Sequence, residues 1–86
     1  MLDFESLEWN GSELPNGIML QVGTYKGEPK AFRVRLTEQM PSFEAIQKLT
    51  KAKFNKSITI SEQSTKYIGY DYWRVVRITS WLTMRS

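Results

Sequence analysis

Between Gly17 and Leu36 the chain alternates with period two on both sides of a turn. Ile18, Leu20 and Val22 occupy every second position, Lys26-Gly27-Glu28-Pro29 interrupts, and Phe32, Val34 and Leu36 resume the pattern. Such spacing puts the apolar side chains on one face of each strand. Gly27 permits a positive φ and Pro29 ends a hydrogen-bond ladder, so the interruption is a tight turn and the two strands form an antiparallel hairpin. Arg33 and Arg35 then fall on the opposite face from Phe32 and Val34. A hairpin with one apolar face is not stable alone and requires a covering layer.

The cover comes next in the chain. Pro41-Ser42 opens a helix: the Ser42 hydroxyl can cap it, Glu44 suits the positive N-terminal end, and Lys51 and Lys53 suit the negative end. Phe43, Ile46, Leu49 and Phe54 form an apolar arc, with Glu44, Gln47, Lys48 and Lys51 opposite, and Asn55 is the stop. Lys56 to Ser61 alternates again, with Ile58 and Ile60 inward, and Glu62 to Thr65 is a polar turn. Tyr70 to Leu82 is aromatic and β-branched, as a long, well-paired strand should be, and Val75-Val76 predicts a bulge or two-sided burial. At the other end, residues 2–9 suggest a short edge strand, followed by turn signals at Asn10-Gly11 and Pro15-Asn16-Gly17. The expected fold is α+β: a small antiparallel sheet of four to five strands in two hairpins, one helix packed on a face, in the order (β)ββαββ. A single compact domain is expected over residues 1–86, with residues 1–16 an acidic N-terminal segment or edge strand.

Several classes of chemistry lack their residues. With no Cys and no His, thiolate ligation, disulfides and the commonest general base are ruled out. The sequence contains no phosphate-binding loop, dinucleotide fingerprint, nucleophile elbow or zinc-protease motif. Glu28-Pro29-Lys30 has the Glu-x-Lys spacing of some metal-dependent nucleases, but a Mg²⁺ shell needs a second carboxylate, and Asp3 and Glu13 lie on no clear strand. A solvated turn is the simpler reading of that tripeptide. The expectation is a binding protein rather than an enzyme, with no catalytic residue, cofactor or metal. The acidic start and the lack of a long apolar run predict no signal peptide, no membrane span and a cytoplasmic location.

Charge marks the candidate binding surfaces. Residues 1–25 contain four acids and no base, whereas the remainder holds twelve Lys and Arg against five acids, leaving a body of +7 behind an acidic segment of −4. Lys48, Lys51, Lys53 and Lys56 crowd into nine residues, as a phosphate-contacting ridge would, or as an ordinary solvated helix face. Arg33 and Arg35 extend a basic patch across the sheet, or pair with Glu5, Glu8 and Glu13. Period-two counting sets Trp73, Arg77 and Trp81 on one side of the last strand, opposite Val76 and Ile78. Indole and guanidinium side by side serve base stacking or a protein hot spot. The competing expectation is that Leu2, Phe4 and Trp9 cover that face as a second small core. Two functions follow from these residues. One is a module that binds nucleic acid or a complex handling it, as monomer or homodimer. The other is a protein-docking inhibitor or adaptor, of the kind mobile elements or phages carry, that acts by occlusion.

Overall fold

The computed structural model describes residues 3–83. A single turn of 3₁₀ helix at Phe4–Ser6 leads into strand β1 (Glu8–Glu13). Strands β2 (Met19–Tyr25) and β3 (Glu28–Arg35) follow, then helix α1 (Phe43–Phe54) and strands β4 (Lys56–Ile60), β5 (Ser64–Ile68) and β6 (Asp71–Thr83). All strand pairs are antiparallel, in the order β1-β2-β3-β6, with β4 and β5 both paired to β6. The α+β class and the single helix agree with the sequence, and the described residues contain six strands rather than four or five. No helix among them is long and apolar enough to cross a membrane.

The alternating hairpin forms as its spacing requires, with Val22 opposite Phe32 and Gln21 opposite Arg33. Pro29 does not end the ladder. It lies inside β3 opposite Thr24, at a register shift that leaves Lys30 as the extra residue. Asn10-Gly11, expected as a turn, sits in the middle of β1, where Gly11 packs under the Met19 side chain. Residues 2–9 are correspondingly not one strand: Phe4–Ser6 coil under an Asp3 cap, β1 starts at Glu8, and Leu2 lies outside the described residues.

Helix α1 is capped as its residues dictate. Ala45 N–H donates to the Ser42 hydroxyl at 3.2 Å, and Asn55 stops the helix in the left-handed conformation, φ 56°. Its buried stripe is Ile46 and Thr50, with Leu49 and Phe54 only partly buried and Phe43 half exposed. The arc is therefore rotated from the one expected. Thr50 can be buried because its hydroxyl donates to the Ile46 carbonyl at 2.7 Å. Gln47, expected to face solvent, instead locks the helix to β4: its amide donates to the Lys56 carbonyl at 3.2 Å and accepts from Ile58 N–H at 3.0 Å.

Two cores lie on opposite faces of the sheet. Under the helix, Leu14, Leu20, Val22, Phe32, Val34, Ile46, Ile58, Val76 and Ile78 pack together. On the other face, Leu7, Ala31, Ile68, Trp73 and Val75 form a smaller cluster, covered by Phe4 and Trp9. Val75 and Val76 are thus buried on opposite faces, and the bulge falls four residues later. There Thr59 hydroxyl contacts both Thr79 (2.8 Å) and Ser80 (2.7 Å), two residues of β6 facing one of β4. Below that bulge the alternation of β6 is reversed, and Trp81 pairs with Ile58 on the helix side.

Candidate nucleic-acid interface on the helix-free face

The smaller core exists because β2 carries no side chain at Gly23. A Cβ there would stand 2.8 Å from the six-membered ring of Trp9 and 2.9 Å from a Leu7 methyl. With only hydrogen at that position, the N-terminal segment lies flat on the sheet. Trp9 Nε1–H donates to the Phe4 carbonyl at 3.0 Å and ties the segment to itself. The segment covers Trp73, which is 5% exposed. Cover by Phe4 and Trp9, one of the two outcomes expected for this face, is the one the structure adopts for Trp73.

Three arginines of this face lie against its aromatic rings. Arg33 is sandwiched, its guanidinium carbon 4.2 Å from the centre of Trp9 and 3.9 Å from that of Trp73. Such contacts are worth about 0.5–2 kcal/mol, most when water is excluded. The Arg33 Nε–H donates to Gln21 Oε1 at 2.7 Å, and among the described residues the terminal nitrogens have no hydrogen-bond partner. The Arg33 pKa is lowered to about 10, chiefly by burial and then by the charge of Arg35, with Asp71 opposing the shift. It therefore stays cationic at neutral pH. Arg35 lies over the same Trp73 ring at 4.8 Å and pairs with Asp71 at 3.1 Å. This exposed ion pair contributes little, about 0–1 kcal/mol, and mainly offsets the Arg35 charge. Arg77 lies over Phe4 at 5.6 Å. Lys66 stands opposite Trp73 on β5 and has no charged partner among the described residues.

Two clefts open on this face beside the N-terminal segment. One, of about 510 Å³, is lined by Glu5, Trp9, Arg33, Ile68, Gly69 and Tyr70. The other, of about 450 Å³, lies along residues 61–64 and is lined by Phe4, Lys66, Val75 and Arg77. Tyr70 is 94% exposed at the tip of the β5–β6 hairpin, whose two-residue loop needs the positive φ of Gly69, 68°.

The remaining candidates do not join this surface. Lys48, Lys51 and Lys53 ride on α1, across the sheet from the arginines, so the lysine ridge and the arginine patch lie on two different sides. Lys48 and Lys51 are exposed, and Lys53 donates to the Ser12 hydroxyl. Lys56 is largely buried, in a 3.2 Å ion pair with Glu28 and a 3.2 Å hydrogen bond to Thr83. Trp81 does not share a face with Trp73 and Arg77. The bulge turns it toward the helix side, where it is half-buried between Lys30 at 4.4 Å and Lys56 at 5.8 Å. Glu28 and Lys30 thus point to separate partners rather than to a shared metal. Sequence reasoning missed Lys66 and Tyr70: Glu62 to Thr65 reads as a polar turn, residues 66–69 fall in no expected element, and Tyr70 reads as the start of the last strand. The outward row of Ser, Thr, Lys and Tyr on β5 carries no apolar alternation, and Gly69 was the one available signal for a second tight hairpin.

The chain matches no protein-family model, no curated protein and no solved structure.

Proposed function

We propose that this chain is a small non-enzymatic module that binds single-stranded nucleic acid through its helix-free face. The observation that carries this is Arg33, held between the rings of Trp9 and Trp73 with its terminal N–H groups unspent among the described residues. A guanidinium fixed in that way loses little side-chain entropy on meeting a phosphate or a base edge. Arg77 and Lys66 add two cations on the same face, each beside a cleft that an extended strand can follow. Tyr70 supplies an exposed ring on which a base can stack. A duplex is less suited, because the N-terminal segment covers part of the sheet and leaves clefts beside it that fit unstacked bases.

Fluorescence anisotropy with labelled eight-nucleotide oligomers tests this. Two phosphate contacts, from Arg77 and Lys66, imply a log–log salt slope of about −1.4, or roughly a sevenfold loss of affinity between 50 and 200 mM salt. Arg77→Ala should flatten the slope by about 0.7 while leaving the fold intact. Absence of binding to any single strand at 50 mM salt refutes the proposal.

A second function, protein docking by occlusion, draws on a different patch. Leu36, Tyr67 and Tyr72 are exposed beyond the helix, with the two tyrosine rings 4.9 Å apart. Tyr67→Ser with Tyr72→Ser should leave oligonucleotide affinity unchanged, and a loss of that affinity would move the nucleic-acid site to this patch.

A further inference from the structure

The cleft between Trp9 and the Gly69-Tyr70 loop contains opposite charges that do not neutralise each other. Arg33 and Glu5 both line it. Among the described residues the ion pairs are Arg35–Asp71 and Lys56–Glu28, and neither involves Arg33 or Glu5. The Glu5 backbone N–H is used by Asp3, while its carboxylate accepts no hydrogen bond from the described residues. The Arg33 side chain is likewise committed only through Nε. Arg33 and a Glu5 carboxylate without a partner among the described residues therefore line one space, together with Trp9 and the exposed Tyr70.

We propose that this cleft takes an unstacked guanine, which rests on the nucleic-acid function above and gives it base preference. Guanine alone among the bases offers two adjacent acceptors, O6 and N7, to a guanidinium and two adjacent donors, N1–H and the 2-amino group, to a carboxylate. Adenine places its N1 acceptor where the carboxylate needs a donor. Cytosine offers O2 and N3 to a guanidinium but only its 4-amino group to a carboxylate, and uracil offers isolated acceptors on either side of a single N3–H donor. Trp9 and Tyr70 provide the rings against which a splayed base stacks. A cleft of about 510 Å³ falls in the range that holds a molecule the size of a nucleoside.

The test replaces one central uridine of an eight-nucleotide oligouridine by guanosine, adenosine, inosine or 7-deazaguanosine, and reads affinity by anisotropy. Guanosine should tighten binding about tenfold over oligouridine, and adenosine should not. Inosine, which lacks the 2-amino group, and 7-deazaguanosine, which lacks N7, should each lose most of that gain. Glu5→Gln should abolish the difference between guanosine and inosine. Glu5→Asp, with an unchanged melting temperature, should restore part of it. Equal affinity for all substituted oligomers, with binding intact, overturns the guanine site and leaves the nucleic-acid function standing. Free guanosine monophosphate quenching the Trp9 emission, with no oligomer bound, keeps the guanine chemistry and overturns the nucleic-acid function. Failure of both ligands to bind overturns both.

Discussion

Gly23→Ala adds one methyl group where the structure leaves no room. Alanine in a strand would normally be more stable than glycine by about 0.5–1 kcal/mol, so a large loss here can come only from contact. The added carbon would lie 2.8 Å from two carbons of Trp9 and 2.9 Å from Leu7, against an ordinary contact of 3.4–4 Å. Neither neighbour can withdraw freely. Trp9 is tied to the Phe4 carbonyl, and Leu7, 6% exposed, is seated in the smaller core. Overpacking of this kind costs about 1–3 kcal/mol, with a ceiling near the loss of one buried side chain, about 1.5–3 kcal/mol, if the segment lifts away. In a domain of this size that lowers Tm by about 5–20 °C. Circular dichroism gives the melt, and acrylamide quenching reports whether Trp9 and Trp73 become accessible. Trp9→Val combined with Gly23→Ala should cost less than the sum of the two changes, because the shorter side chain vacates the space. A Gly23→Ala protein with the original Tm and unchanged quenching would show that the N-terminal segment does not lie on this face, and both clefts would go with it.

Other changes probe the helix side and the division of charge. Ile46→Ala should destabilise by about 2–5 kcal/mol in urea unfolding, and Leu49→Ala by clearly less, since only Ile46 is fully buried. Gln47→Leu should cost about 1–3 kcal/mol by stripping partners from the Lys56 carbonyl and the Ile58 N–H, read from the same unfolding curves. Lys48→Glu with Lys51→Glu should leave single-strand affinity within about twofold, whereas Arg33→Glu should abolish it, because the helix lysines are on the far side of the sheet. Arg33-dependent binding should stay constant from pH 6 to pH 8, as its pKa, though lowered to about 10, lies well above that window.

The parts of the fold legible in the sequence are those governed by local rules. Leu20, Val22, Phe32 and Val34 alternate because that face of the hairpin packs under the helix, and Ser42 and Asn55 mark the helix ends because backbone groups there need partners and a left-handed stop. What was not legible depends on contacts between distant residues. Gln47 looks solvent-facing on a helical wheel, and only β4, supplying a carbonyl and an N–H at the right spacing, turns it into a clamp. The helix lysines and the outward arginines read as separate candidates, and only the assembled sheet shows that Lys48 and Lys51 cannot share a ligand surface with Arg33, Arg35 and Arg77. Arg33 and Arg35 were visible as an outward pair, but their stacking on Trp73 required β6 to be placed next to β3. β5 was illegible because an edge strand with an exposed row of polar residues has no burial pattern to display.

The doubled residue opposite Thr59 has a consequence for how β6 can change over time. Substituting Thr79 or Ser80 alters a hydroxyl contact at the surface, whereas losing either residue changes the parity of everything after it. Leu82, now 75% exposed, would rotate into the place of Trp81, and Trp81 would swing to the opposite side, away from Lys30 and Lys56. The Arg33–Trp73 half of the strand, lying before the shift, would be untouched. Tolerance at this point of the chain is therefore set by counting rather than by chemistry: many side chains are acceptable there, but only one number of residues.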